Sequence, residues 1–109
     1  MAYDEKLFKR VDEIAKGKRN FFKIKMFGGV GYLLKGNMCF GLYQNYLILR
    51  LGETAAKKAL KKKHVKEFDI TGRPMKGWVM VADKGPKTKE SLNQWLNLAL
   101  KFVAKIPPK

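Results

Sequence analysis

The sequence predicts an α+β fold in which a helix, three strands, a second helix, two strands and a closing helix follow one another. Two kinds of spacing support this prediction. Near both ends of the chain, and again around its middle, apolar residues recur every three or four positions, as on one face of a helix. Between these segments the apolar residues alternate with a period of two, and glycine or asparagine marks tight turns. We therefore expect a five-stranded, mainly antiparallel sheet.

The first helix is predicted over residues 4–16. Leu7, Val11 and Ile14 lie on one stripe of such a helix. Asp4 stands at its amino end, where a carboxylate is favourable, and Gly17 can end it.

Three strands are then expected to form a meander of two hairpins. The turns are predicted at Gly36-Asn37 and at Gln44-Asn45, because glycine and asparagine tolerate turn conformations. The strands that these turns join are expected at about residues 31–35, 38–43 and 46–51. The third strand is partly apolar on both sides, with Leu47 and Leu49 on one side and Ile48 on the other.

The second half of the chain repeats the alternation of helix and strand. A short helix is predicted over residues 53–63 and a closing helix, capped by Thr88, over about residues 89–105. The strands between them are VKEFDI, with Phe68 and Ile70 pointing inward, and WVMVA. The closing helix has a broad apolar face, made by Leu92, Trp95, Leu96, Ala99, Phe102, Val103 and Ile106.

The glycine-rich stretch MFGGVGYLLKGNMCFG raises the question of a phosphate-binding loop. Such a loop needs a helix directly after its glycines, whose amides point at the anion. Here a period-two pattern follows, so we interpret Gly28, Gly29 and Gly31 as turns or points of close backbone approach in a sheet. A faint similarity of KGNMCFGLY to an RNA-recognition motif fails, because Asn37 and Cys39 replace the aromatic residues that stack on bases.

Length, charge and cysteine content restrict the class of protein. The 109 residues suit one domain, spanning residues 1–109. Twenty-four Lys and Arg against nine Asp and Glu give a net charge of +15, which suggests a polyanionic partner or a merely soluble surface. The single cysteine excludes a disulfide framework, and no Cys or His pair has zinc spacing. No signal peptide or membrane-spanning run is present, so we expect a cytoplasmic protein without membrane contact.

The stretches MFGGVGYLLKGNMCFGLY and FDITGRPMKGWVMV resemble the N-terminal domain of the TfoX/Sxy family, the bacterial competence regulators and their short relatives. The resemblance covers about residues 5–108. It implies a two-layer α/β sandwich, α-β(3)-α-β(2)-α, similar to the type III secretion chaperones. It also implies a role in transcriptional control, because full-length members act beside a cyclic-AMP receptor protein at competence promoters. Those members have a second, C-terminal domain without a counterpart here, so we expect a stand-alone relative.

A group of basic residues is the candidate nucleic-acid site. Lysines on one exposed face of the second helix repel one another, which is more readily tolerated if the face meets an anion. A face that is simply solvated is the alternative interpretation. Beside it, the RPMKGW stretch places two cations near Trp78, which either packs in the core or helps to hold a phosphate or a base. The candidate residues are Lys57, Lys58, Lys61, Lys62, Lys63, Lys66, Arg73 and Lys76.

No catalytic site is predicted, and we expect a non-enzymatic protein that uses no cofactor and no metal. His64 is expected to satisfy the carbonyls at the end of the second helix. Cys39 is expected to be a buried, inert thiol. Glu67 and Asp69 share one side of a predicted strand and are interpreted as edge charges, since no second catalytic component accompanies them.

A protein interface is the second hypothesis. The closing helix has more apolar surface than one sheet face is expected to cover, and Trp95, Leu98 and Phe102 are the candidate interface residues. The leading hypothesis is therefore a small regulatory or adaptor domain that contacts nucleic-acid backbone or a transcription-regulator protein. The alternative is a dimeric protein-interaction module whose charge is incidental.

Overall fold

The structure is a computed structural model that describes residues 4–18, 21–26, 28–69, 72 and 75–107. Within these residues three helices and six strands follow one another, and the α+β class is confirmed. Their bounds are α1 Glu5–Lys16, β1 Phe22–Met26, β2 Gly29–Leu34, β3 Asn37–Tyr43, β4 Tyr46–Arg50, α2 Glu53–Ala59, β5 Val65–Glu67, β6 Trp78–Ala82 and α3 Lys89–Val103.

The sheet has the strand order β1-β2-β3-β4-β6-β5, and every neighbouring pair is antiparallel. The prediction of five strands was wrong by one, because β1 was not recognised as a strand. In β1 the register places Lys23 and Lys25 on the side that faces the helices, while Phe22 and Ile24 face away from them. Lys23 pairs with Asp12 of α1, so a charged contact replaces the apolar contact that the sequence pattern would suggest.

The two hairpin turns differ in how well the sequence located them. Leu34 pairs with Asn37, so the turn between β2 and β3 is Lys35-Gly36, one residue before the predicted position. Both turn residues have positive φ, 52° for Lys35 and 86° for Gly36, which suits the twist of a two-residue hairpin. The prediction for the next turn is confirmed, because Tyr43 pairs with Tyr46 across Gln44-Asn45.

Helix α1 forms where the sequence predicted it. The Asp4 carboxylate caps the helix by accepting hydrogen bonds from the backbone N–H of Lys6 at 2.8 Å and of Leu7 at 3.3 Å. The predicted apolar stripe of the helix, including Leu7 and Val11, is buried. This burial supplies most of the free energy that holds a helix of this length in place.

All three helices contribute to one main core on the same face of the sheet. The two-layer architecture that the resemblance implied is therefore present. Helix α3 begins after Thr88, whose Oγ1 accepts from the Ser91 N–H, and ends at Val103, two residues before the predicted end. Its buried residues are Leu92, Trp95, Leu96, Ala99 and Val103, whereas Phe102 and Ile106 are half-buried against the same core.

The opposite face of the sheet, called the open face below, has only a small cluster of its own. Ile48, Met80 and Phe68 are buried there. The side chains packed around them are half-buried and comprise Met38, Tyr43, Tyr46 and Trp78. The strand predicted for VKEFDI ends at Glu67, and Phe68 then folds over the open face. Ile70 lies outside the described residues.

The glycine-rich stretch is sheet architecture, as the sequence predicted. It forms β2, the Lys35-Gly36 turn and β3, and no helix follows its glycines. A Cβ at Gly29 would collide with the carbonyl of Leu42, and one at Gly41 would lie 2.6 Å from the carbonyl oxygen of Val30. These positions require glycine because the neighbouring backbones approach closely. None of the helices in the described part of the chain has the length and apolar character to cross a bilayer.

Candidate nucleic-acid interface

The predicted lysine-rich helix is shorter than expected. Helix α2 ends at Ala59 rather than residue 63, so the last four predicted positions were wrong. The N–H of Lys62 donates to the Ala59 carbonyl at 2.9 Å, a three-residue spacing that tightens the chain into turns. His64 then takes a positive φ of 67°, and its carbonyl accepts from the Ala82 N–H at 2.8 Å. Directly after this hydrogen bond the chain enters the sheet as β5, which pairs with β6.

Residues 57–66, called the lysine segment below, therefore run from helix through turns into strand. The lysines of the segment are all exposed: Lys57, Lys58, Lys61, Lys62, Lys63 and Lys66. They do not share one helix face. The Nζ of Lys62 lies 5.2 Å from the ring centroid of Trp95 on α3, whereas the Nζ of Lys66 lies 4.7 Å from the ring centroid of Tyr46 on the open face.

The structure brings Lys57 and Lys76 together at a pocket of about 190 Å³ between α2 and β6. Glu53 and Glu67 also line this pocket, with Trp78 at its side. The two cations therefore stand beside two carboxylates, which lowers the positive potential at this end of the lysine segment. The predicted Arg73 lies outside the described residues.

Both ion pairs within the described part of the chain involve Asp12, at 3.0 Å from Lys23 and 3.4 Å from Lys16. Burial of Asp12 opposes ionisation, but hydrogen bonds from Lys23 and Tyr32 prevail and hold the pKa of this carboxyl below its usual value. No such pair involves the lysine segment in the described ranges. The charge of the segment is therefore available to an external anion.

Most of the residues predicted to form a protein interface on α3 lie inside the molecule. Trp95 is 8% exposed and belongs to the main core. Phe102 is half-buried, and its ring lies so near Gly52 that a Cβ there would be 2.6 Å away. Leu98 alone of the three is exposed, with 44% of its surface accessible. The interface prediction now depends on Leu98 and its surroundings.

Neither of the nucleophilic candidates shows an active arrangement. Cys39 is fully buried in β3, and burial raises the pKa of its thiol to about 12, so the thiol is neutral at ordinary pH. His64 is exposed and contributes its backbone carbonyl to the Ala82 bond. Among the residues that the structure describes, no three His, Cys, Asp or Glu side chains group as metal ligands do.

A second basic and aromatic surface, on the open face, was not predicted from the sequence. The Cζ of Arg50 lies 5.4 Å from the ring centroid of Trp78, and the Phe68 ring stacks on Trp78 at 5.5 Å. Lys66 covers Tyr46 on the same face. The signal in the sequence was the strand at residues 46–50, whose second side carries Tyr46, Ile48 and Arg50. Periodicity alone cannot say that the helices leave this side uncovered.

The fold and these surfaces define a small two-layer α+β domain with basic surfaces and a buried, neutral thiol. A family model described as the TfoX N-terminal domain matches residues 19–103, and the chain belongs to this family. This confirms the resemblance stated from the sequence, and it makes the chain a domain of a competence-related family. No curated protein and no solved structure matched the chain.

Proposed function

We propose that this domain acts in competence or transcription control by binding the nucleic-acid backbone through the lysine segment, without reading the base sequence and without catalysing a reaction. The observation that carries the proposal is the exposure of every lysine between Lys57 and Lys66, with no ion pair to a carboxylate in the described part of the chain. Family membership supports the regulatory context. The cytoplasm is the proposed location, because an unpaired thiol such as Cys39 suits a reducing compartment.

The physical basis is the release of counterions. Each lysine that neutralises a phosphate of duplex DNA displaces a condensed cation, so affinity falls with salt at a slope of about −0.9 per contact on logarithmic axes. Contacts to phosphate position a protein but carry no sequence information. The domain is therefore expected to bind different duplexes with similar affinity.

The test is duplex-DNA binding by fluorescence anisotropy at salt concentrations between roughly 50 and 200 mM. We expect the unaltered protein to show a log–log slope of about −4 or steeper. Changing Lys57, Lys58, Lys61 and Lys62 together to Gln is expected to remove up to about 3.6 from the slope.

A matched control removes the same charge elsewhere. Lys9, Lys84, Lys101 and Lys105 are exposed and lie outside the lysine segment, so their change to Gln is expected to alter the slope much less. Thermal melting followed by circular dichroism verifies that both variants fold. Equal losses in the two variants would show that only overall charge matters, and absence of binding at low salt would refute the proposal.

The second candidate function is a dimeric protein-interaction domain, for which exposed Leu98 on α3 is the supporting observation. An apolar interface of this kind is insensitive to salt compared with phosphate contacts. Sedimentation equilibrium of the protein and of Leu98→Lys distinguishes the two. A dimer that dissociates in the variant, without DNA binding in either protein, would favour this alternative over the proposal.

A further inference from the structure

The open face presents aromatic rings and cations side by side. Tyr43 and Tyr46 pair across β3 and β4, and Trp78 pairs with Arg50 across β4 and β6. These four side chains are half-buried, so part of each remains accessible. At the edge of the sheet, Phe22 on the same side is 69% exposed.

The strand residues on this face carry charge of one sign. Glu67 is the only acidic residue in the six strands, and its register with Val79 places it on the helix side of the sheet. Arg50 and Lys66 are the charged strand residues of the open face. From the strand spacing, their Cα atoms are roughly 12 Å apart. The face therefore offers two separated cations, and its strands offer no carboxylate.

Each cation lies over an aromatic ring. Arg50 lies over Trp78 and Lys66 over Tyr46, at 5.4 Å and 4.7 Å from the ring centroids. Such contacts keep the long side chains close to the sheet. A ligand that is anionic along its length matches the separated cations of the face. Flat groups along the same ligand match its aromatic rings.

A single-stranded nucleic acid has this chemistry. Proteins that bind single strands combine a positively charged track for the backbone with aromatic rings on which successive bases stack. A second copy of this chain fits less well, because two molecules of charge +15 would bring Arg50 and Lys66 toward like charges. The charge of the face thus distinguishes between these two occupants.

We propose that the open face is a binding site for single-stranded nucleic acid, with Arg50 and Lys66 contacting phosphates and with the accessible parts of Tyr43 and Tyr46 offering rings to the bases, beside Trp78, whose ring already stacks on Phe68. This inference goes beyond the proposed function, because it uses a different surface and an unpaired strand rather than duplex DNA. Lys66 is the one residue that belongs to both the lysine segment and the open face. The quadruple lysine variant leaves it unchanged, so each proposal can fail alone.

The first test compares a fluorescein-labelled oligothymidylate with duplex DNA by anisotropy. The double variant Arg50→Gln/Lys66→Gln is expected to reduce the log–log salt slope for the single strand by about 1.4, from two contacts at about −0.7 each. For duplex DNA only Lys66 belongs to the lysine segment, so the same variant is expected to reduce the duplex slope by at most about 0.9. The control Lys9→Gln/Lys101→Gln removes the same charge from exposed positions on two helices.

The two tryptophans provide an independent test, because they lie at different surfaces. Trp78 lies on the open face, whereas Trp95 of α3 lies beside Lys62, a residue of the lysine segment. In Trp95→Phe, unlabelled oligothymidylate is expected to quench the emission of Trp78. In Trp78→Phe, it is expected to leave the emission of Trp95 nearly unchanged. If Trp95→Phe does not fold, quenching by oligothymidylate is compared between the unaltered protein and Trp78→Phe. Quenching that is present only in the unaltered protein then belongs to Trp78.

Three results would overturn the inference. The first is an oligothymidylate affinity that Arg50→Gln/Lys66→Gln leaves unchanged. The second is an unquenched Trp78 at saturating oligothymidylate. The third is a concentration-dependent dimer in which Trp78 is shielded from acrylamide, since a second copy would then occupy the face. Duplex binding that is lost in the quadruple lysine variant would leave the proposed function intact in all three cases.

Discussion

Single residues in unusual backbone conformations shape the turns of this domain. Lys35, Gln44 and His64 have positive φ, which only a few per cent of non-glycine residues adopt, with Asn, Asp and His the most frequent among them. Lys35 begins the turn between β2 and β3, and His64 lies within the lysine segment directly before β5. No residue type at these positions reveals the conformation, so the sequence misplaced the first hairpin turn by one residue and extended α2 too far.

Lys35 provides a stabilising substitution. Changing Lys35 to Asn gives an Asn-Gly turn, the pair preferred where both central residues have positive φ, and is expected to raise the free energy of unfolding by about 0.5 kcal/mol. Urea denaturation followed by circular dichroism measures the change. Lys84→Asn is the control, because Lys84 is also exposed in a turn but has no positive φ. Equal effects of both substitutions would contradict this explanation.

At the scale of secondary-structure elements, Asp12 links helix α1 to the edge of the sheet. Its Oδ1 accepts from Lys23 Nζ of β1 at 3.0 Å and from the Tyr32 hydroxyl of β2 at 2.9 Å. The Asp12 side chain is 14% exposed and that of Lys23 is 46% exposed, so solvent screens their contact only in part. The contacts explain why an edge strand with two lysines toward the helices is held in the sheet.

Replacing Asp12 by Asn is expected to lower the free energy of unfolding by about 1–2 kcal/mol near neutral pH, because the charged hydrogen bonds are lost. The pKa of Asp12 is lower in the folded than in the unfolded chain. Its contribution is therefore present above the unfolded value of about 3.9 and is lost as the pH falls through the lower folded value. Urea denaturation near neutral pH and near pH 3 measures this effect. The difference in the free energy of unfolding between the variant and the unaltered protein should be smaller near pH 3.

Glu13→Gln is the matched control, since Glu13 is the exposed neighbour of Asp12 on α1. It is expected to change the free energy of unfolding by less than about 0.5 kcal/mol. An Asp12→Asn difference that stays constant with pH would show that the carboxylate charge is not what links the elements.

Most elements could be predicted from the sequence, because each combines a clear period with a clear end signal. Helix α1 has an apolar stripe and Asp4 as a cap, and α3 has Thr88. Strand β1 was not predicted although residues 22–26 alternate between apolar and charged side chains, and the alternation does not show that its lysines face the helices. The open face was missed because an alternating strand has two sides, and periodicity does not indicate which one the helices cover. The candidate lysines were expected to be exposed, and in the structure they are. Tertiary contacts that the sequence pattern does not specify place some of them beside Trp95, some on the open face and some at the pocket between α2 and β6.

At the scale of the whole molecule, charge is the dominant unbalanced feature. The chain carries a net charge of +15, while both ion pairs within the described residues use the same carboxylate, Asp12. Like charges on one small domain repel one another, and salt screens that repulsion over a distance of about 10 Å at 0.1 M. The compact state is therefore expected to gain stability as salt is added.

Thermal melting should show a Tm that rises by several degrees between about 50 and 500 mM sodium chloride. The variant with Lys57, Lys58, Lys61 and Lys62 changed to Gln has four fewer charges, so +15 becomes +11 and the rise should be smaller. A Tm that is independent of salt in both proteins would indicate that the excess charge is too dispersed to affect folding.

Binding of nucleic acid by the lysine segment is tested directly by the change in backbone amide chemical shifts when a short DNA duplex is added to isotopically labelled protein. If the lysine segment binds nucleic acid, the largest shifts are expected for the amides between Lys57 and Lys66, with small shifts around Leu98. Shifts concentrated around Leu98, or no shifts at low salt, would contradict the claim that the lysine segment binds nucleic acid.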